Sequence, residues 1–422
     1  MKKLLSLLVL VAMLAAACSG NPQPPQQEPE RITLNVLMMY ANYSLEDVRF
    51  MKETVAAKFP QYDFQFIDTY RHEFFDGAEN KIIYLSYRQF EEAGIVPDLI
   101  IEPVHVSSSP MFTQGYTRDL ESILRGTSID LSAFEPAYLN HVRALSDDGV
   151  LAALPLSADL YAIGYNKGSV DPAQLANVET WQELAAFAER TGLNAAQAAS
   201  WIPLGNQFGL RYLNERDEVE LNRDRWEEAV AVYQSLQKLG IASFFAVSSS
   251  SFYDPMTAQQ IPFEWDLLPY PKKSAGDAAG ANRLYHIAAV GPASEHAAEA
   301  LSVLEYLVSS EYQLAGARRG IASVLNDSRV REEFGADSSV FADKNTAAFF
   351  ALSPSGTPNR ISKYERIYWS MGTPDYMLLT SLTPVFTRMR MEQLSPEEAV
   401  KAFEASIMNV VNVIKGLPPD SY

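Results

Sequence analysis

Apolar residues along this chain recur with two spacings, and the change from one to the other marks its elements. Ile32-Thr33-Leu34-Asn35-Val36-Leu37-Met38-Met39 is a run of buried-type residues and predicts a strand. After Tyr40-Ala41-Asn42-Tyr43, Ser44 can cap a helix on which Val48, Met51 and Val55 share one face, and Phe59-Pro60 stops it. Residues 63–67 and 97–101 read as two further strands, and 119–124 as a brief helical piece. Strands alternating with helices predict a mostly parallel sheet covered on both faces. Ligands of such sheets lie outside the carboxyl ends of the strands. That singles out Tyr40, Asn42 and Tyr43, then Tyr70 after the second strand, and Glu102 and His105 after the third.

The second half carries stronger helix signals. Thr180 and Glu183 form a capping box for a helix from Trp181 to Arg190 that ends near Gly192. Trp226, Val230, Tyr233 and the segment 236–239 share a face of a helix ending at Gly240. Ser294 opens a long helix with Ala298, Leu301, Leu304, Leu307 and Val308. Ser395-Pro396-Glu397-Glu398 starts another, carrying Val400, Phe403, Ile407, Val410, Val411 and Ile414 up to Gly416. These stripes are core positions, and Trp181 packs at its helix start.

The first eighteen residues follow neither spacing. Lys2 and Lys3 precede an apolar run over residues 4–14, and Ala15-Ala16-Ala17 leads into Cys18, the only cysteine among 422 residues. The run is too short for a permanent membrane span and resembles a lipoprotein signal, in which the thiol is acylated and the chain is cut before it. Ala15 stands where that pattern usually has Leu. Residues 19–30, rich in Pro and Gln, predict an extended tether. No later run approaches the ~20 apolar residues of a span, so lipid on Cys18 is the expected link to the membrane. Roughly 400 residues are too many for one core and imply two domains. With no second cysteine, internal disulfides are excluded. The formal net charge is -18, and the leader's two lysines are its only charges, so the exported part is more acidic still. Nucleic acid is a poor partner for such a surface.

Catalytic constellations are missing. His72, His105, His141, His286 and His296 lie far apart with no pair at metal-ligand spacing, so no metal or cofactor is expected. There is no phosphate-cradling glycine loop and no Gly-x-Ser-x-Gly elbow. Asp147-Asp148-Gly149 reads as a polar turn.

Several segments, in order, resemble the family 1 extracellular solute-binding proteins of ABC importers, the group that includes the maltose-binding protein. Pro97-Asp98-Leu99-Ile100-Ile101 is similar to the family's Pro-Asp strand, and Gly115-Tyr116-Thr117-Arg118-Asp119-Leu120 to its Gly-x-x-x-Asp-Leu piece. Gly149-Val150-Leu151-Ala152-Ala153-Leu154-Pro155 followed by Tyr165-Asn166-Lys167 resembles its crossover. Thr180-Trp181-Gln182-Glu183-Leu184 matches a helix start, residues 263–271 a return strand, and Ser309-Ser310-Glu311-Tyr312-Gln313 the end of the helix from Ser294. The chain departs where the family has Phe-x-x-Gly-x-x-Ala-Met and a glycine-aromatic loop: residues 242–260 offer the serine run Ser248 to Ser251, and Asp254-Pro255-Met256 instead.

The resemblance implies an α/β fold of two lobes, each a mostly parallel sheet flanked by helices, joined by strands near 150–160, 262–270 and 320–335. Residues 31–153 and 268–325 would form the first lobe, 154–267 and 326–422 the second, behind a signal (1–17) and tether (18–30). It implies a monomeric, outward-facing, lipid-anchored binding subunit that closes on a carbohydrate and presents it to permease subunits. Asp159 stands four residues after Pro155, where the family places a polar residue facing the ligand. Trp201, in a stretch expected to be non-helical, Trp265 on the return strand and Trp369 in a late segment are the other aromatic candidates. Tyr40 and Tyr43 could pack on a sugar ring. Two further readings stand beside this: the same fold holding a peptide, polyamine or metal complex, and an exported carbohydrate-active enzyme, which would need two carboxylates converging in a cleft.

Overall fold

The computed structural model of the chain describes residues 31–38, 45–68, 74–76, 81–83, 87–104, 110–113, 115–146, 148–175, 177–214, 216, 218–237, 241–252, 255–355 and 374–415. The strands among them are β1 (Ile32–Met38), β2 (Tyr62–Asp68), β3 (Phe74–Asp76), β4 (Lys81–Ile83), β5 (Leu99–Pro103), β6 (Leu154–Asp159), β7 (Tyr161–Asn166), β8 (Phe244–Ser248), β9 (Trp265–Pro269) and β10 (Arg283–Val290). The apolar run of β1 is buried because β1 is interior to a five-stranded sheet of order β2-β1-β5-β10-β6. β1 runs parallel to β2 and β5, while β10 is antiparallel to both β5 and β6. The carboxyl ends of β1, β5 and β6 and the amino end of β10 therefore share one edge.

A second sheet, of order β8-β7-β9, is antiparallel throughout. This corrects the expectation of a mostly parallel sheet in each half. β7 carries the chain away from the large sheet and β9 carries it back, so these neighbours must run in opposite senses. The small sheet stands between two cores, and the alternation of its side chains divides them. Ala162, Phe245, Val247 and Leu267 join a core built on the large sheet, whereas Tyr161, Ile163, Tyr165 and Phe244 join the other. Gly164 pairs with Phe245, and a β-carbon there would come within 2.3 Å of the Phe245 ring, so this strand position accepts only glycine at the present spacing.

The chain passes between sheets later than the sequence suggested. Leu154–Asp159 pairs with β10 in the large sheet, which moves the first crossing to Leu160. The return falls between β9 and β10. Val330, Phe334, Phe341 and Phe349 still belong to the first core, and Leu352 is the first residue after them in the second.

Helix ends follow local chemistry closely. Glu183 N donates to the Thr180 hydroxyl (3.3 Å) and Thr180 N to the Glu183 carboxylate (2.9 Å), starting Trp181–Thr191, which stops at Gly192 with φ 76°. The helix Arg223–Leu236 ends before Leu239, and Gly240 lies outside the described residues. The long helix expected from Ser294 is two helices, Ala297–Leu307 and Ser310–Arg319. Ser309 breaks it by accepting from Tyr312 N and capping the second, while the Ser294 hydroxyl donates to Asp98 at 2.6 Å. Its buried stripe is Ala300, Val303, Leu304 and Leu307, with Ala298 outside. The last helix, Pro396–Lys415, buries Val400, Phe403, Ile407 and Val411 as its spacing predicts.

Candidate functional site

The first crossing concentrates polar groups. β6 ends in Asp159, the chain turns at Leu160, and β7 begins at Tyr161. Leu160 and Ser249 bind each other: Leu160 N donates to the Ser249 hydroxyl (2.9 Å) and Ser249 N to the Leu160 carbonyl (2.8 Å). Tyr161 N donates to Asn282 Oδ1 at 2.8 Å, and Asn282 Nδ2 to the Phe349 carbonyl at 2.9 Å, so one amide joins all three passages. Gln313 ties β6 to its neighbours within the first core. Its amide donates to the carbonyls of Leu156 and Leu307, and its oxygen accepts from the Ser323 hydroxyl and Val324 N.

Asp159 is 1% exposed. Its Oδ1 accepts from the Ser248 hydroxyl at 2.7 Å and from Ser250 N at 3.1 Å, and its Oδ2 faces Arg283 Nε at 3.6 Å. The carboxylate thus ties the end of β8 to the shared edge of β6 and β10. A buried charge needs such partners, since leaving one unpaired costs several kcal/mol.

Beside this cluster a recess of about 50 Å³ separates β6 and β10 from Met51, Tyr312 and the turn at Gly320. Met51, Leu156, Ala158, Ile321 and Ala322 make much of its wall apolar; its polar groups are Ser157, which bonds His286 Nδ1 at 2.8 Å, Ser249, Ser250 and Gln313, with the Tyr285 ring beside them. That space holds about four waters, enough for hydroxyl groups of a bound molecule but not for a whole oligosaccharide.

The remaining sequence candidates fall in different places. Glu102, at the end of β5, is fully buried; the Tyr87 hydroxyl donates to it at 2.5 Å and Met111 N lies at 3.3 Å from both oxygens. Burial outweighs those bonds and pushes its pKa up to about 8, so it is mostly a neutral acid at pH 7. Trp201 opens a helix, Trp201–Phe208, correcting the non-helical expectation: Pro203 lies in the first turn, where its missing N–H costs nothing, and Gly209 closes the end. Its ring packs on Trp226, Phe386 and Phe403 at 5.2–5.5 Å inside the second core. Trp265 is 7% exposed, against Phe245 and Phe252 with Lys344 Nζ 4.9 Å above its ring. Trp201 and Glu102 are thus each held inside one core, away from Asp159's partners. Tyr40, Asn42, Tyr43, Tyr70, His105, Trp369 and Cys18 lie outside the described residues.

Sequence reasoning missed Ser157, Ser248, Ser250, Arg283, His286 and Gln313. The serine run was visible, but only as the loss of an expected motif; its contact with Asp159 spans 89 residues of chain and leaves no local signal. Among the described residues, no group of three acidic, His or Cys side chains could hold a metal, and no helix is long and apolar enough to cross a membrane.

Residues 88–256 match the family model for bacterial extracellular solute-binding proteins. No curated protein sequence matches the chain. Among solved structures, it is similar to an ABC substrate-binding protein from Listeria monocytogenes in complex with cycloalternan, at 14% identity and a TM-score of 0.62, covering 91% of this chain and 100% of that one. The cyclic alpha-maltosyl-1,6-maltose binding protein from Arthrobacter globiformis gives 16%, 0.60, 91% and 100%. The maltose-maltodextrin binding protein of Alicyclobacillus acidocaldarius gives 16%, 0.54, 89% and 100%. At these identities the likeness is one of fold, an α/β protein of two lobes. The family match covers residues 88–256, and over the rest of the chain the likeness is one of fold.

Proposed function

We propose that the chain is the lipid-anchored substrate-binding subunit of an ABC importer, that it faces the outside of the cell, and that it closes its lobes on a carbohydrate and presents it to permease subunits without breaking bonds. The observation that carries this is the crossing itself: beside it lies a recess whose largely apolar wall carries the hydroxyls of Ser157, Ser249 and Ser250, the His286 imidazole and the rings of Tyr285 and Tyr312. Rings pack on the apolar face of a sugar while hydroxyls take its polar edge. Of the solved structures named above, one is described in complex with cycloalternan and another as binding cyclic alpha-maltosyl-1,6-maltose, and the match of residues 88–256 supports a like role. Closure follows only if the ligand touches both lobes, because equal contact with open and closed states shifts nothing.

Asp159 is best placed as the residue that positions the β8 serines against the recess. We keep the lobes as two sets of segments, now divided at Leu160, between β9 and β10, and near residue 350. Tyr40, Asn42, Tyr43, Tyr70, His105 and Trp369 remain proposed contacts from the strand-end loops and the late segment. Acylation of Cys18 accounts for attachment, and more than one chain is required for stable anchoring.

A thermal-shift screen of the chain against cyclic and linear α-glucans, mannotriose, peptides and polyamines tests this reading. A true ligand at ~100 times its Kd adds roughly 2.7 kcal/mol. Stabilisation by peptides or polyamines alone, or turnover of a sugar, overturns it. Asp159→Ala weakens the sugar response by ~1.5–3 kcal/mol if the carboxylate holds the site in shape; unchanged affinity removes Asp159 from it.

A further inference from the structure

A second and larger cavity, about 160 Å³, lies on the other side of the crossing. The strand-like segment 320–325 separates the two: Ile321 and Ala322 face the first recess, Ser323 and Leu325 the second. Leu160 lines only the second. Tyr138, on the helix Pro136–Ala144, is 4% exposed and lines this cavity, and its hydroxyl bonds no group among the described residues. Arg331 reaches the same space with Nη2 2.9 Å from Asn326 Oδ1 and 3.9 Å from the Glu135 carboxylate.

From these groups we infer a second binding site behind the crossing, for a small neutral polyol no larger than one hexose. The volume holds about a dozen waters, which suits a ligand of that size. Glu135 accepts hydroxyl protons, Arg331 and Tyr138 donate, and the two formal charges cancel, so a carboxylate ligand would be opposed by Glu135 while a polyol satisfies all three. Leu160, Leu325 and Val330 supply the apolar face that the carbon skeleton of a polyol needs. Leu352 of the second core shares the wall with Tyr138 of the first, so occupancy and lobe position are linked, and each changes the other by the same factor. The site is independent of which solute the first recess holds.

Methyl NMR of the purified chain, titrated with glycerol and with D-glucose, decides the matter. The methyls of Leu160, Leu325 and Val330 should shift saturably, with Leu156 reporting the first recess separately. Arg331→Gln and Tyr138→Phe should each weaken binding about tenfold. Shifts that stay linear, or variants that bind as the parent does, overturn the site. Saturation by acetate in preference to glycerol overturns the polyol assignment. Should Tyr138→Phe fail to fold, Arg331→Gln decides alone, because that side chain is 46% exposed.

Discussion

Two buried carboxylates end neighbouring parts of the same sheet edge, and they are held in opposite ways. Glu102 closes β5 inside the first core, where its partners are a phenol and a backbone amide. Asp159 closes β6 at the crossing, where its partners are a guanidinium, a serine hydroxyl and the amide of Ser250. With no cation paired to it among the described residues, burial drives Glu102 toward the neutral acid. Asp159 sits against Arg283 and joins two sheets. Equal burial therefore says little about a carboxylate until its partners are known: one is packed within a core and the other ties two sheets together.

The sharpest break in this contrast is Arg283→Leu. It leaves Asp159 buried without its cation, and a loss of ~3–5 kcal/mol in urea unfolding is expected. A loss below ~1 kcal/mol would mean that the serines alone hold the carboxylate. The second test uses pH. The folded pKa of Glu102 is raised, so its contribution is present below about 4.5 and is lost as pH rises through about 8. Parent stability should therefore fall across that window by a few kcal/mol relative to Glu102→Gln, which carries no titrating group. Parallel curves for the two proteins would place an ionised carboxylate at Glu102. The smallest effect gives the baseline: Thr180→Ala removes a cap remote from both acids and should cost ~1 kcal/mol, read from the urea midpoint. If it cost as much as Arg283→Leu, the crossing would be no more than an ordinary local contact.

Much of the local structure was legible. The capping box at Thr180, the stop at Gly192, the stripe from Val400 to Val411 and the run of β1 all depend on residues within a few positions of one another. Where local pattern and structure differ, a partner from afar intervenes. Ser294 turned to Asp98, 196 residues away, and the helix began later. Leu154–Asp159 found β10 and stayed in the first sheet. Trp201, read as a cleft aromatic, found Trp226 and Phe403 in a core. At the crossing, the resemblance singled out Asp159 as a candidate, while nothing local marked its serines, its arginine or the Ser157–His286 pair.

By itself the sequence determined the alternation of strands and helices, most helix ends, the acidic character and the resemblance to solute-binding proteins, because capping, periodicity and composition act over short stretches of chain. Only the tertiary structure decided that the small sheet is antiparallel, where the chain passes between the two sheets, and which buried acid meets a cation. Those outcomes depend on groups brought together from opposite ends of the chain, and charge state and register are set by that meeting.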